Sequence, residues 1–176
     1  SIIVKMSADK KGKGFDKNMK TVKKYFKRYF VDGMSAMALG LFSSLIVGLI
    51  ISQFAKIPHL EFLSKFSEVL SASSPVVGGA IGAAIAYGLK SKPLVVFSCI
   101  AVGAYGYSLG GPVGAFVGAI VANEIGSLVA GKTKIDIVVT PIVTIVSGGI
   151  VSMFVGPYLS QFMNWLGSVI NAATQL

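Results

Sequence analysis

The chain has 176 residues, a mean hydropathy of +0.75 and 13% charged residues, about half the charged share of a soluble domain. Several charge-free runs reach the ~20 residues that a membrane span needs, which excludes a soluble globular domain and marks an integral membrane protein. The net charge of +9 is concentrated in residues 1–30, which hold ten of the sixteen Lys and Arg against Asp9 and Asp16. A basic arm abutting an apolar span points to anionic lipid, at ~1 kcal/mol per charge near the surface, and away from nucleic acid.

In chain order, Ser1–Lys13 is polar and is expected to be disordered at its start. Phe15, Met19, Val22, Phe26 and Tyr29 recur at helical spacing with lysines opposite, which predicts a basic amphipathic helix lying in the cytoplasmic interface. Gly33–Ala55 is charge-free and predicts the first transmembrane helix. Ile57–Leu70 mixes Leu60, Leu63, Phe66 and Leu70 with Glu61, Lys65 and Glu68, the pattern of a short interfacial helix. The only histidine, His59, sits in this segment without an evident partner and reads as structural.

Ser74 followed by Pro75 is a helix-start signal, because a serine can cap the first amides and proline fits the first turn. The run Val76–Leu89 that follows is short and glycine-rich, so it predicts a tilted or partly re-entrant helix. Leu94–Leu109 and Pro112–Ala130 predict a helical hairpin turning at Gly110-Gly111-Pro112. Gly106, Gly110, Gly114, Gly118, Ala122, Gly126 and Ala130 fall four apart, and in a bilayer such a row lets helix backbones approach closely. Gly78, Gly82, Gly110, Gly114, Gly118 and Gly126 are the candidate packing positions. Ile137–Gly156 predicts a fifth span, and Pro157–Leu176, with no charge, an amphipathic helix at the far interface. The short loops with Lys90, Lys92, Lys132 and Lys134 then fall on the side of the basic arm, as the positive-inside rule asks. The expected architecture is an all-α membrane protein with about five transmembrane helices and amphipathic interfacial helices at the N-terminus, first outer loop and C-terminus. It divides into a basic arm (1–30) and a polytopic membrane domain (31–176), N-terminus in the cytoplasm.

No nucleophile elbow, Walker loop, Cys pair or His–Glu metal motif is present. No catalytic residue, metal ligand or cofactor site is therefore assigned. The lone cysteine, Cys99, reads as a small buried hydrophobe. Glu124 is the one carboxylate inside a span. Such a group costs ~2.5–3.5 kcal/mol to insert, so it faces the protein interior and serves a solute, ion or proton, or else snorkels to the nearby boundary. Asn123 beside it points to a face about 100 degrees away. Ser73, Ser74, Asn123, Glu124 and Thr140 are the candidate solute contacts, because helix ends and broken spans expose amides and carbonyls to a polar ligand.

The runs RYFVDGMSAMALGLFSSLIVGLI, SSPVVGGAIGAAIAYGLKSKPLVVFS and GGPVGAFVGAIVANEIGSLVAGKTKIDIVVTP resemble the amino-terminal half of EIIC-type membrane proteins of the bacterial phosphotransferase system, in the perfringolysin-regulator-like branch. The resemblance runs from about Arg28 to Gly156. It implies a multi-pass sugar permease of the bacterial inner membrane, working with cytoplasmic phospho-carrier subunits and contributing at most part of a phosphorylating transport system. Members of that branch are roughly twice as long, so it also implies half a permease or a truncated form. The sugar-phosphorylating motifs of better-studied branches have no clear match here. A lipid-exposed, uncompensated Glu124 and open glycine faces predict a homodimer or a missing second half. A non-transporting membrane regulator or scaffold is the alternative function, and a pore-former the third.

Overall fold

In the computed structural model, which describes residues 2–175, five helices account for nearly all of the backbone. Helix α1 runs from Ile2 to Phe54, α2 from Leu63 to Val69, α3 from Pro75 to Gly88, α4 from Pro93 to Val129 and α5 from Asp136 to Thr174. By length and composition α1, α4 and α5 are sufficient to cross a membrane, and α3 is a shorter apolar helix. The chain is an all-α membrane protein.

Several boundaries differ from those expected. The amphipathic arm and the first span form one 53-residue helix, and the arm is helical from Ile2 where disorder was expected. No cap or proline separates Phe26 from Gly33, so nothing ends the helix; two π-helical stretches, Lys27–Gly33 and Phe42–Ile46, are absorbed inside it. Residues Ile2–Phe26 bury no side chain and extend ~37 Å. Helix α5 likewise continues through Pro157 to Thr174, joining the expected fifth span to the expected C-terminal helix. The regular helix in the loop after α1 is only Leu63–Val69, within the expected Ile57–Leu70.

Helix α3 begins as its sequence dictates. Ser74 is extended (φ −73°, ψ 135°) and its side chain accepts from the amide of Val76 at 3.2 Å. Its other end closes with Lys90 in the left-handed region (φ 60°) and the Ser91 amide bonded 3.1 Å to the Ala86 carbonyl, a Schellman-type stop usually given to glycine. Helix α4 is a hairpin of two arms, 93–109 and 112–129. They break at Gly110 (φ −136°) and Gly111, whose φ of +64° with ψ −154° is a conformation essentially confined to glycine.

Small residues set the packing. Helix α1 buries Gly33, Ala36, Gly40, Ser44 and Gly48, one side of the helix. A Cβ on Gly40 would lie 2.8 Å from the Ala80 carbonyl oxygen of α3. Helix α3 in turn packs on the first arm of α4, where a Cβ on Gly78 would meet the Gly103 oxygen at 2.6 Å. A Cβ on Gly106 would meet the Gly114 oxygen at 2.6 Å across the hairpin. Helix α5 lies along the hairpin with Thr140, Thr144, Gly148, Ser152 and Gly156 buried, and Gly126 opposes Thr144 while Gly118 opposes Ser152. Val77, Ile81, Ile85, Val95, Val102, Ala119 and Ala122 fill the space between. The large apolar side chains Leu39, Phe42, Phe97, Ile137, Val146 and Phe154 are exposed, as expected of helices whose outer faces meet lipid tails.

Candidate functional site

Polar side chains gather at the end of the bundle where α3 stops and the second arm of α4 ends. Glu124 is about one turn from the end of the apolar arm, and its Oε1 accepts from Arg28 of α1 twice, from Nη2 at 2.8 Å and Nε at 3.1 Å. The remaining Arg28 nitrogen, Nη1, reaches the Leu89 carbonyl oxygen at 3.5 Å. One guanidinium thus ties α1, the end of α3 and α4 together. Arg28 lies within the first π-helical stretch, and its side chain is 33% and that of Glu124 36% exposed, so the pair sits at the rim of the bundle.

Asn123 is fully buried. Its Nδ2 is 3.4 Å from Glu124 Oε1, and its Oδ1 accepts from the hydroxyl of Ser91, which is also 3.4 Å from the Ser127 hydroxyl. The stop of α3 at Lys90 aims Ser91 at this amide. Arg28, Glu124, Asn123, Ser91 and Ser127 therefore form one connected polar network at the rim of the bundle, with Asn123 its fully buried member, and a buried polar group is costly unless satisfied.

The expected solute contacts separate into groups. Asn123 and Glu124 are together. Ser73 and Ser74 stand at the other end of α3, ~21 Å away along a 14-residue helix. Thr140 is fully buried and donates its hydroxyl to Asp136, which also accepts from the Gly131 amide at 2.7 Å. Asp136 is the first residue of α5. Glu124 does not face lipid alone. Its partner Arg28 belongs to the basic arm, and Gly106, Gly114, Gly118 and Gly126 face helices of the same chain.

The reading of residues missed Arg28, Ser91 and Ser127. Arg28 was counted among ten cations of the arm, although it is the only arginine among them. Ser91 lies between two lysines and carries no local signal. No cluster of His, Cys, Asp and Glu suited to a metal ion occurs among the described residues.

A multi-helix apolar bundle, close-packed on small residues and holding a polar network at one end, defines an α-helical membrane protein. Residues 31–176, most of the chain, match the family described as Phosphotransferase system, EIIC. The chain belongs to that family, and with it to the membrane components of the phosphotransferase system. No curated protein and no solved structure matches it.

Proposed function

We propose that this protein binds and translocates a small polar solute, a sugar, across the bacterial inner membrane, with the arm and the Lys90–Lys92 and Lys132–Lys134 loops in the cytoplasm. The network of Ser91, Asn123, Glu124 and Arg28, buried at Asn123 and half-buried at the ion pair, carries this reading. A polar network kept inside a membrane bundle serves solute or ion passage more often than stability. Asn123 and Glu124 would contact the solute, while Ser73 and Ser74 mark the opposite entrance and Thr140 holds the Asp136 turn. Phospho-carrier subunits would meet the cytoplasmic loops, and anionic lipids the basic arm. Association with a second copy, or with a second permease half, would rest on the exposed apolar surface.

Uptake of a panel of labelled hexoses and hexitols into proteoliposomes, with and without phospho-carrier proteins, tests this. Uptake of at least one member is expected, lost in Asn123→Leu and Glu124→Gln proteins that remain folded. Tight vesicles that take up no member under either condition would favour the regulatory reading instead, for which the fully exposed basic helix Ile2–Phe26 offers a surface.

A further inference from the structure

A second polar feature lies at the Ser74 end of the bundle, where the network around Glu124 does not reach. A cavity of about 280 Å³ is lined by Gly48, Leu49, Ser52, Ser67, Glu68, Leu70, Ser71 and Ala72. It is formed where the end of α1 meets α2 and the turn before α3. Close approach makes it: a Cβ on Gly48 would stand 2.6 Å from the Leu70 Cβ, so only glycine lets α1 reach the loop. The far wall is pinned from α4, because the Tyr107 hydroxyl donates to the Ala72 carbonyl at 2.7 Å.

The chemistry of the lining is one-sided. The Ser52 hydroxyl donates to the Leu49 carbonyl at 2.6 Å and that of Ser67 to the Ser64 carbonyl at 2.9 Å. With their protons committed, both oxygens retain acceptor capacity. The Ser71 hydroxyl is 3.3 Å from that of Ser73, and the Glu68 carboxylate has no ion-pair or hydrogen-bond partner among the described residues. Acceptors therefore dominate, beside apolar walls from Leu49, Leu70 and Ala72. A ligand suited to this lining brings several O–H donors together with a C–H face, which is the make-up of a sugar or polyol.

We propose that this cavity is a capture subsite for a polyhydroxylated solute, with Glu68 and Ser71 its main hydrogen-bonding groups. The proposal rests on the transport reading for its ligand class, and it adds a site at the end of α3 opposite Glu124. Glu68 accepts from solute hydroxyls, a charge-assisted contact, while the Leu49 and Leu70 side chains cover the C–H face.

The test is equilibrium binding of the same labelled hexoses and hexitols to the full chain in nanodiscs, together with maleimide labelling of a Ser71→Cys variant. Glu68→Ala is expected to weaken binding of at least one solute by tenfold or more, and that solute should slow alkylation of the thiol introduced by Ser71→Cys. A Ser52→Cys variant is the second reporter should Ser71→Cys fold poorly. Unchanged affinity in Glu68→Ala, with no protection of either introduced thiol, overturns the subsite even if uptake is normal. Saturable binding to no member of the panel overturns it as well, as does Glu68-dependent protection by sodium or potassium chloride in place of any solute. Binding with Glu68 dependence but without uptake upholds the subsite and sinks the transport reading.

Discussion

Arg28 and Glu124, separated by 96 positions in the chain, meet with a guanidinium nitrogen 2.8 Å from a carboxylate oxygen. The contact fastens the long first helix to the last turns of the α4 hairpin, and the same guanidinium approaches the end of α3. It explains how a carboxylate is carried near the end of an apolar arm.

Breaking this pair should therefore loosen three helices at once. Arg28→Ala and Glu124→Ala are each expected to cost about 1–2 kcal/mol, below the ~3–5 kcal/mol of a fully buried pair because both side chains are about one-third exposed. Chemical denaturation in mixed micelles gives the values. The double variant should cost less than the sum of the two, with a coupling of about 1 kcal/mol; strict additivity would show that the pair does not interact in solution.

Two glycines of the same type should respond in opposite ways. A Cβ on Gly118 would sit 3.4 Å from Val102 Cγ1 and closer still to the Ser152 hydroxyl, whereas Gly149 has nothing within 4 Å. Gly118→Leu is expected to lose about 3 kcal/mol or more by overpacking. Gly149→Leu should leave the thermal midpoint within a few degrees of the parent. Equal behaviour of the two in a melting assay would contradict the helix register described for α4 and α5.

Asn123 offers a test of the polar network. Ser91→Ala removes the donor to a fully buried amide oxygen and is expected to cost about 1–3 kcal/mol. Adding Asn123→Leu should recover part of that loss, because the orphaned polar group is then absent. A Ser91→Ala protein as stable as the parent would mean that water or lipid headgroups already satisfy Asn123.

Orientation is testable by cysteine accessibility after replacing Cys99 with Ala. A cysteine at Ser7, on the exposed arm, is expected to react with a membrane-impermeant maleimide only once cells are opened. Labelling of intact cells would place the arm, Lys90 and Lys132 outside and invert the proposed direction of transport.

The residues by themselves determined the membrane class, the glycine-broken turn at Gly110-Gly111, the Ser74–Pro75 helix start and the small-residue rows. Each of these depends on local chemistry: hydropathy over a window, a backbone angle that one residue type adopts, a cap that reaches two residues ahead. The joining of the arm to the first span was not legible, since propensity does not say whether a helix bends where its composition changes. Nor was the buried row Gly33, Ala36, Gly40, Ser44 and Gly48 singled out inside an apolar run of uniform hydropathy. The ion pair, the Ser91–Asn123 contact and the Gly48–Leu70 cavity were decided by tertiary structure alone. They arise from how α1, α3 and α4 lie side by side, and ten cations in one arm give no local clue that Arg28 is the one placed, by the helix it rides on, within reach of a carboxylate 96 residues away.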